Sequence, residues 1–356
     1  MRIAIVNDLT LAITSIRRVI EHEGVHSVAW VARNGLDALA LFDADEPDLV
    51  LLDLVMPHLD GVQTTKRIRE RSNCPILIVT AQAGRSSGQI FEAMGYGALD
   101  VVNLPVLTGS PAENGQELLK KIARIERLQG GNPARRSSSA GSAPGAARRR
   151  PPLIAIGAST GGPKTLATVL APLPRSLKAA VVVVQHIDAQ FAPGLVSWLD
   201  SQVPLPVRDA EAGQAPQAGT VLIAVSNDHL VLRAGGRFAY QAEPLEEPYR
   251  PSVDAFFASL VKHWPDPGLA VLLTGMGRDG GKGMLALRRA GWHTIAQDEA
   301  SCAVYGMPKA AVELGGAVEV LPPEAIARSL GQRTGGEPLK TCRWNSSGRL
   351  ACGSCH

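Results

Sequence analysis

Ser159, His186 and Asp279 are the residue types of nucleophilic acyl transfer. A hydroxyl attacks, an imidazole takes its proton, and a carboxylate holds the imidazole in one tautomer and stabilises its charged form. Each stands at or just beyond the end of an aliphatic run: LIAIGA precedes Ser159, AVVVVQ precedes His186, and AVLLTG leads into the TGMGRDGG loop with Asp279. The serine sits in Gly157-Ala158-Ser159-Thr160-Gly161-Gly162, and Pro163 then suits a first helical turn, where its missing N–H has no partner to lose. Free amides and the positive end of a helix dipole favour negative charge there. By itself the stretch fits a phosphate-binding turn as well as a nucleophile, although neither G-x-G-x-x-G nor G-x-x-x-x-G-K-[ST] is present. His186 alone fits a locally bonded strand-end histidine, and Asp279 alone a turn former beside glycine. Complementary types at three strand ends favour the enzyme.

A second set lies near the N-terminus. Asn7 and Asp8 follow IAIV (3–6), Asp53 ends LVLLD (49–53), and Thr80 ends ILIVT (76–80). Ligands bind at the carboxyl edge of an open parallel sheet, so Asp8 and Asp53 should meet there. Two carboxylates at one edge suit a hard divalent cation such as Mg²⁺; singly, each also fits an ordinary polar loop.

The elements that must position these groups are strands interleaved with helices, the pattern of parallel sheets covered on both faces. The chain's 356 residues allow two domains, each with its own core. Residues 1–126 form the first α/β domain, with ALDVV (98–102) as a further strand, and residues 151–333 the second. The latter continues with HTIAQD (293–298) and AVEVL (317–321), and TVLIAVSNDHLVLR (220–233) reads as an antiparallel β-hairpin around Ser-Asn-Asp. Residues 127–150, rich in Gly, Ser, Ala, Pro and Arg, read as a flexible tether. Residues 334–356 read as a disordered tail. Its Cys352-Gly-Ser-Cys355-His356 matches a haem-c pattern that needs export, and with Cys342 it makes a partial zinc set.

Hydrophobic residues make up 45%, and 36 Lys+Arg against 33 Asp+Glu leave a net charge of +3. That excludes the basic excess of a dedicated nucleic-acid binder. Apolar runs are strand-sized, so no membrane insertion is expected. MRIAIVND enters a strand directly without a secretory signal, which points to the cytoplasm and to cysteines kept as thiols.

VND at 6–8, D-L-V-M-P-H-L-D-G at 53–61, I-V-T-A at 78–81 and G-A-L-D-V-V-N-L-P at 97–105 resemble a response-regulator receiver domain. The resemblance implies a flavodoxin-like, doubly wound five-stranded parallel sheet. It also implies phosphorylation of Asp53 by a CheA-type histidine kinase, Mg²⁺ held by Asp8, Asp53 and the Val55 carbonyl, and Thr80 as switch hydroxyl. Two departures stand out: Asn7 where the family has an acid, and Leu104 where it has a lysine. Both are expected to alter the response or lifetime of the phosphorylated state.

I-G-A-S-T-G-G-P at 156–163, V-V-Q-H at 183–186, Y-R-P-S-V-D at 249–254, L-L-T-G-M-G-R-D-G at 272–280 and A-S-C-A-V-Y-G-M-P at 300–308 resemble the CheB family of protein-glutamate methylesterases. This implies a Rossmann-like doubly wound α/β esterase domain that needs no cofactor. Its substrate would be γ-glutamyl methyl esters on methyl-accepting chemoreceptors, with receptor glutamines deamidated as well. Ser159 would be nucleophile, His186 general acid/base, Asp279 its orienting carboxylate, and the backbone amides near Thr160, His186 and Met276 the oxyanion donors. In the family the receiver covers the catalytic edge until phosphorylation moves it. The unusual receiver resembles the Wsp-type surface-sensing branch. Tyr249, Arg250 and Asp254 are candidate lip residues. The competing readings are a catalytically idle receptor- or kinase-binding adaptor and a DNA-binding regulator; nothing after the tether reads as a helix-turn-helix.

Overall fold

The computed structural model describes residues 1–22, 24–81, 87–105, 115–129, 150–335, 342–344 and 350–352. Most of the tether and most of the tail, with Cys355 and His356, lie outside the described residues. The chain divides into two compact units between Arg135 and Arg136.

The first unit runs β1 (Arg2–Val6), α1 (Thr10–His22), β2 (Ser27–Ala32), α2 (Gly35–Ala44), β3 (Leu49–Leu52), α3 (Gly61–Arg69), β4 (Ile76–Thr80), α4 (Ser87–Tyr96), β5 (Asp100–Asn103) and a helix at Gln116–Gln129. The sheet is parallel in the order β2-β1-β3-β4-β5. Its inner strands are continuous apolar runs because helices cover both faces. Ile3, Ile5, Leu49, Leu51, Leu77 and Val79 form one core layer with Ile16 and Ile20 of α1 and Ile122 of the last helix. Asn34 and Asp60 start α2 and α3 by accepting the Asp37 and Gln63 amides, the usual role of such residues at helix starts. The strand absent from the apolar runs is β2, an edge strand in which only Ala32 is fully buried. Because β1 lies between β2 and β3, the chain changes direction beside it. That is the switch point where such sheets bind ligands.

The second unit contains β6 (Leu153–Ala158), β7 (Ala180–Gln185), β8 (Val207–Asp209), β9 (Val221–Ile223), β10 (His229–Arg233), β11 (Arg237–Gln241), β12 (Leu269–Leu272), β13 (His293–Gln297) and β14 (Glu319–Leu321). Seven of these form a parallel sheet in the order β14-β13-β12-β6-β7-β9-β8. Winding starts at β6, runs outward to one side, and returns at β12 to fill the other. The helix Val253–His263 lays Phe256, Phe257 and Leu260 against Ala155, Val182 and Leu272 of the sheet.

Two expectations need correction. The antiparallel hairpin is β10–β11, not 220–233: β9 joins the parallel sheet beside β7, and β10 pairs with β11 from His229↔Gln241 to Arg233↔Arg237. The turn that counts is Ala234-Gly235-Gly236, where both glycines take positive φ (89° and 73°). The tail, read as disordered, contains Cys342–Trp344 and Leu350–Cys352 paired antiparallel, from Cys342↔Cys352 to Trp344↔Leu350.

Candidate active site

Ser159 directly follows β6, and His186 directly follows β7. The β6–β7 ladder ends with Ala158↔Gln185, and the His186 amide donates to the Ala158 carbonyl at 2.9 Å. The next residues on two parallel strands about 4.8 Å apart are therefore the serine and the histidine. The Ser159 amide donates to the Thr274 carbonyl at 3.0 Å beyond β12, and the Ser159 carbonyl accepts from Gly162 at 2.7 Å. Gly161 closes this turn with φ 76°, where a Cβ would lie 2.5 Å from that of Ala303. A helix, Gly162–Leu170, then starts with Pro163 in its first turn, as the sequence predicts. Ser159 is 5% exposed.

His186 Nε2 lies 2.7 Å from Asp279 Oδ2. With Nε2–H on the carboxylate, Nδ1 presents its lone pair, and that buried atom has no hydrogen-bond partner. No hydrogen bond joins Ser159 Oγ to it in this structure. Tyr249 stacks on the imidazole, with ring centroids 4.4 Å apart and planes 4° from parallel.

Asp279 sits on the N-terminus of the helix Val253–His263. Besides His186 it accepts the amides of Val253 (2.7 Å), Asp254 (2.9 Å) and Gly280 (3.0 Å) and the Ser252 hydroxyl (2.9 Å). Burial pushes its pKa up. The bond and charge of His186 and the Asp254 and Val253 amides outweigh this and hold it below the usual carboxylate range. Free amides at a helix start supply such stabilisation. Ser252 is placed in turn by His229, wholly buried. His229 Nδ1 accepts the Ser252 amide at 2.9 Å, and Nε2, which therefore carries the proton, donates to the Pro244 carbonyl at 3.1 Å.

Asp254 is not a lip residue: it lies behind Asp279, accepting the Gly283 amide at 2.6 Å. Burial, then the Asp279 charge, pushes it up to about 7. Among the oxyanion candidates, the His186 amide is consumed by the last rung of the sheet and must be struck out. The amides of Thr160 and Met276 donate no hydrogen bond among the described residues.

At the other sheet edge, Asp53 accepts from Asn7 Nδ2 (3.0 Å), the Leu54 amide (2.7 Å) and the Val55 amide. Burial pushes Asp53 up, those donors oppose it, and the charge of Asp8 adds to the rise. Thr80 is buried at the end of β4, and its carbonyl accepts the Leu104 amide at 2.9 Å. The Leu104 side chain packs against the apolar layer shared with α1, so nothing cationic replaces the missing lysine at that position. Among the described residues no group of three or more His, Cys, Asp or Glu is arranged to hold a metal. None of their helices is long and apolar enough to cross a membrane.

Sequence reasoning missed Ser252, His229, Gln185 and the stacking role of Tyr249. One signal was available: Ser252 heads the apolar helix Val253–His263 as an N-cap, which marks the amide cluster that Asp279 occupies.

Residues 154–330 match the CheB methylesterase family, and residues 3–108 the response regulator receiver domain. The chain is 53% identical over 332 residues to protein-glutamate methylesterase/protein-glutamine glutaminase 4 of Burkholderia thailandensis, covering 93% of this chain and 96% of that protein. It is 49% identical over 337 residues to protein-glutamate methylesterase/protein-glutamine glutaminase 2 of Cupriavidus metallidurans, covering 94% and 99%. The crystal structure of the Thermotoga maritima CheB methylesterase catalytic domain aligns with a TM-score of 0.50 and 37% identity, covering 52% of this chain and all of that one.

Proposed function

Because the chain belongs to the CheB methylesterase family, with a receiver domain ahead of the catalytic one, we propose that Ser159, His186 and Asp279 hydrolyse glutamyl γ-methyl esters on chemoreceptor-type proteins. The observation that carries this is the His186–Asp279 pair. A buried carboxylate with five donors fixes Nε2–H and leaves Nδ1 unpartnered one register step from the serine. An idle adaptor would gain nothing from such an arrangement.

Ser159 Oγ attacks the γ-carbonyl carbon while its proton passes to His186 Nδ1. The imidazolium this creates is stabilised by Asp279. The Thr160 and Met276 amides are the donors for the oxyanion. Collapse breaks the carbon–methoxy bond, and the imidazolium protonates the departing oxygen to give methanol. Water, deprotonated by His186, then releases glutamate and restores the serine. A glutamine side chain follows the same course with ammonia leaving, in keeping with the double name of the relatives. Tyr249, stacked on His186, restrains the ring between these steps.

The proposal includes regulation: a CheA-type kinase in the cytoplasm phosphorylates Asp53, a reading supported by the receiver-domain match over residues 3–108. Asp8, Asp53 and the Val55 carbonyl would hold Mg²⁺. The fit rests on the charge of Asp8 already raising Asp53, a repulsion that a divalent cation relieves. Bound there, Mg²⁺ would neutralise charge on the transferred phosphoryl oxygens. The surface-sensing branch rests on Asn7 and Leu104 alone. The test is methanol release from a methylated receptor, with and without a small phosphodonor. Ser159→Ala is expected to abolish release; unchanged release would remove the enzyme reading.

A further inference from the structure

Gln185 is the last residue of β7 and 2% exposed. Its side-chain nitrogen donates to two backbone carbonyls, that of Ser159 at 2.8 Å and that of His186 at 3.2 Å. These belong to the two residues read as nucleophile and base. The opposite amide orientation would set an oxygen against two carbonyl oxygens, so the assignment is forced. As a result Oε1 is buried without a partner. It lies where the chain has Gly162; a Cβ there would stand 2.1 Å from it. An unpartnered interior acceptor is costly. An apolar residue would avoid that cost, so the benefit of glutamine here must come from its nitrogen.

The position explains the benefit. The last rung between β6 and β7 is His186 N–H to Ala158 C=O. Beyond that rung the sheet no longer sets the spacing between the strands, yet that is where Ser159 and His186 stand. We propose that Gln185 is a positioning residue for the reaction: one amide grips both carbonyls and sets the separation of Ser159 from His186 after the ladder has ended. This rests on the Ser159–His186 reading above. It adds a residue that touches no substrate and acts through the two that do. A small error in the spacing of reacting groups is felt in rate before it is felt in affinity.

The test uses the full chain with Gln185→Met, which keeps the volume and removes both donors, and Gln185→Glu, which replaces the donating nitrogen by oxygen. Two rates are read well below the unfolding midpoint: kcat and KM for methanol release from a methylated receptor, and the second-order rate at which a small sulfonyl fluoride sulfonylates Ser159, with fluoride leaving. Both variants are expected to lose tenfold or more in kcat and in sulfonylation rate, with KM within twofold of wild type. Wild-type rates in either folded variant, or a change in KM alone, would overturn the proposal. So would failure of both variants to fold, which would assign Gln185 to stability. Ser159→Ala, run alongside, separates the two claims. Its loss of methanol release leaves the reaction standing whatever Gln185 shows, and its retention of release removes the reaction itself.

Discussion

Asp53 and Asp279 are the same residue type in corresponding places, each beyond the carboxyl end of an inner strand of a parallel sheet, yet their proton affinities are displaced in opposite directions. Burial raises both. Asp53 is opposed by two amides and the Asn7 side chain and is pushed further up by Asp8. Asp279 meets the start of a helix, a hydroxyl and an imidazole, and ends below the usual range. The difference matches the role proposed for each carboxylate. Asp53 is half-buried, which suits a group open to covalent change. Asp279 is 5% exposed, which suits a fixed charge behind a base. Place in the fold decides where an acid sits, and the donors around it decide which chemistry it can do.

The sharpest way to break this comparison is to remove each charge. Asp279→Asn is expected to lower kcat for methanol release by roughly 10⁴-fold, because the imidazole loses its tautomer and its counter-charge. Asp53→Asn is expected to abolish phosphoryl incorporation from a small phosphodonor. A mild effect of Asp279→Asn would show that the donors around it serve stability alone. Ser252→Ala removes one of the five donors and is expected to lower kcat/KM about tenfold, the scale of one hydrogen bond to a charged group. An unchanged value would mean that the helix amides suffice. On the receiver side, Asn7→Asp replaces a donor to Asp53 with a second negative charge. The Mg²⁺ concentration for half-maximal phosphorylation should fall severalfold, and no change would break the link between local charge and metal demand.

The smallest effect concerns Asp254. Its pKa is pushed up to about 7 in the folded protein, above the unfolded carboxylate range. Its contribution to stability is therefore fully present below that range and lost as pH rises through 7. Asp254→Asn keeps an acceptor for the Gly283 amide and is expected to shrink the drop in unfolding midpoint between about pH 5 and pH 8 by a few degrees. A drop as large as wild type would assign the pH dependence elsewhere. Asp279 acts with the opposite sign, its contribution disappearing as pH falls through its depressed pKa.

Much of the site was legible because the sheet does the placing: aliphatic runs end in Ser159, His186 and Asp53, and parallel strands bring such ends together. What was not legible depends on contacts between distant segments. Ser252 meets Asp279 from 27 positions away, and Gln185 meets Ser159 across 26. The spent His186 amide follows from register, which an apolar run does not reveal. The hairpin was misplaced for a related reason. Ser-Asn-Asp resembles a tight turn, whereas the paired glycines with positive φ that make one are Gly235 and Gly236, four and five positions after Val231.

The pairing of β6 with β12 also sets an order in time. Ile154 lies beside Leu269, 115 positions later (269 minus 154). During synthesis Ser159 and His186 leave the ribosome well before the strand and loop that bring Asp279. Closing so long a loop is slow, and its contacts reward the chain only once both ends are present. On the reading proposed for the site, the newborn polypeptide lacks the carboxylate partner of His186 until the segment beyond β12 has been made, a delay written into the strand order itself.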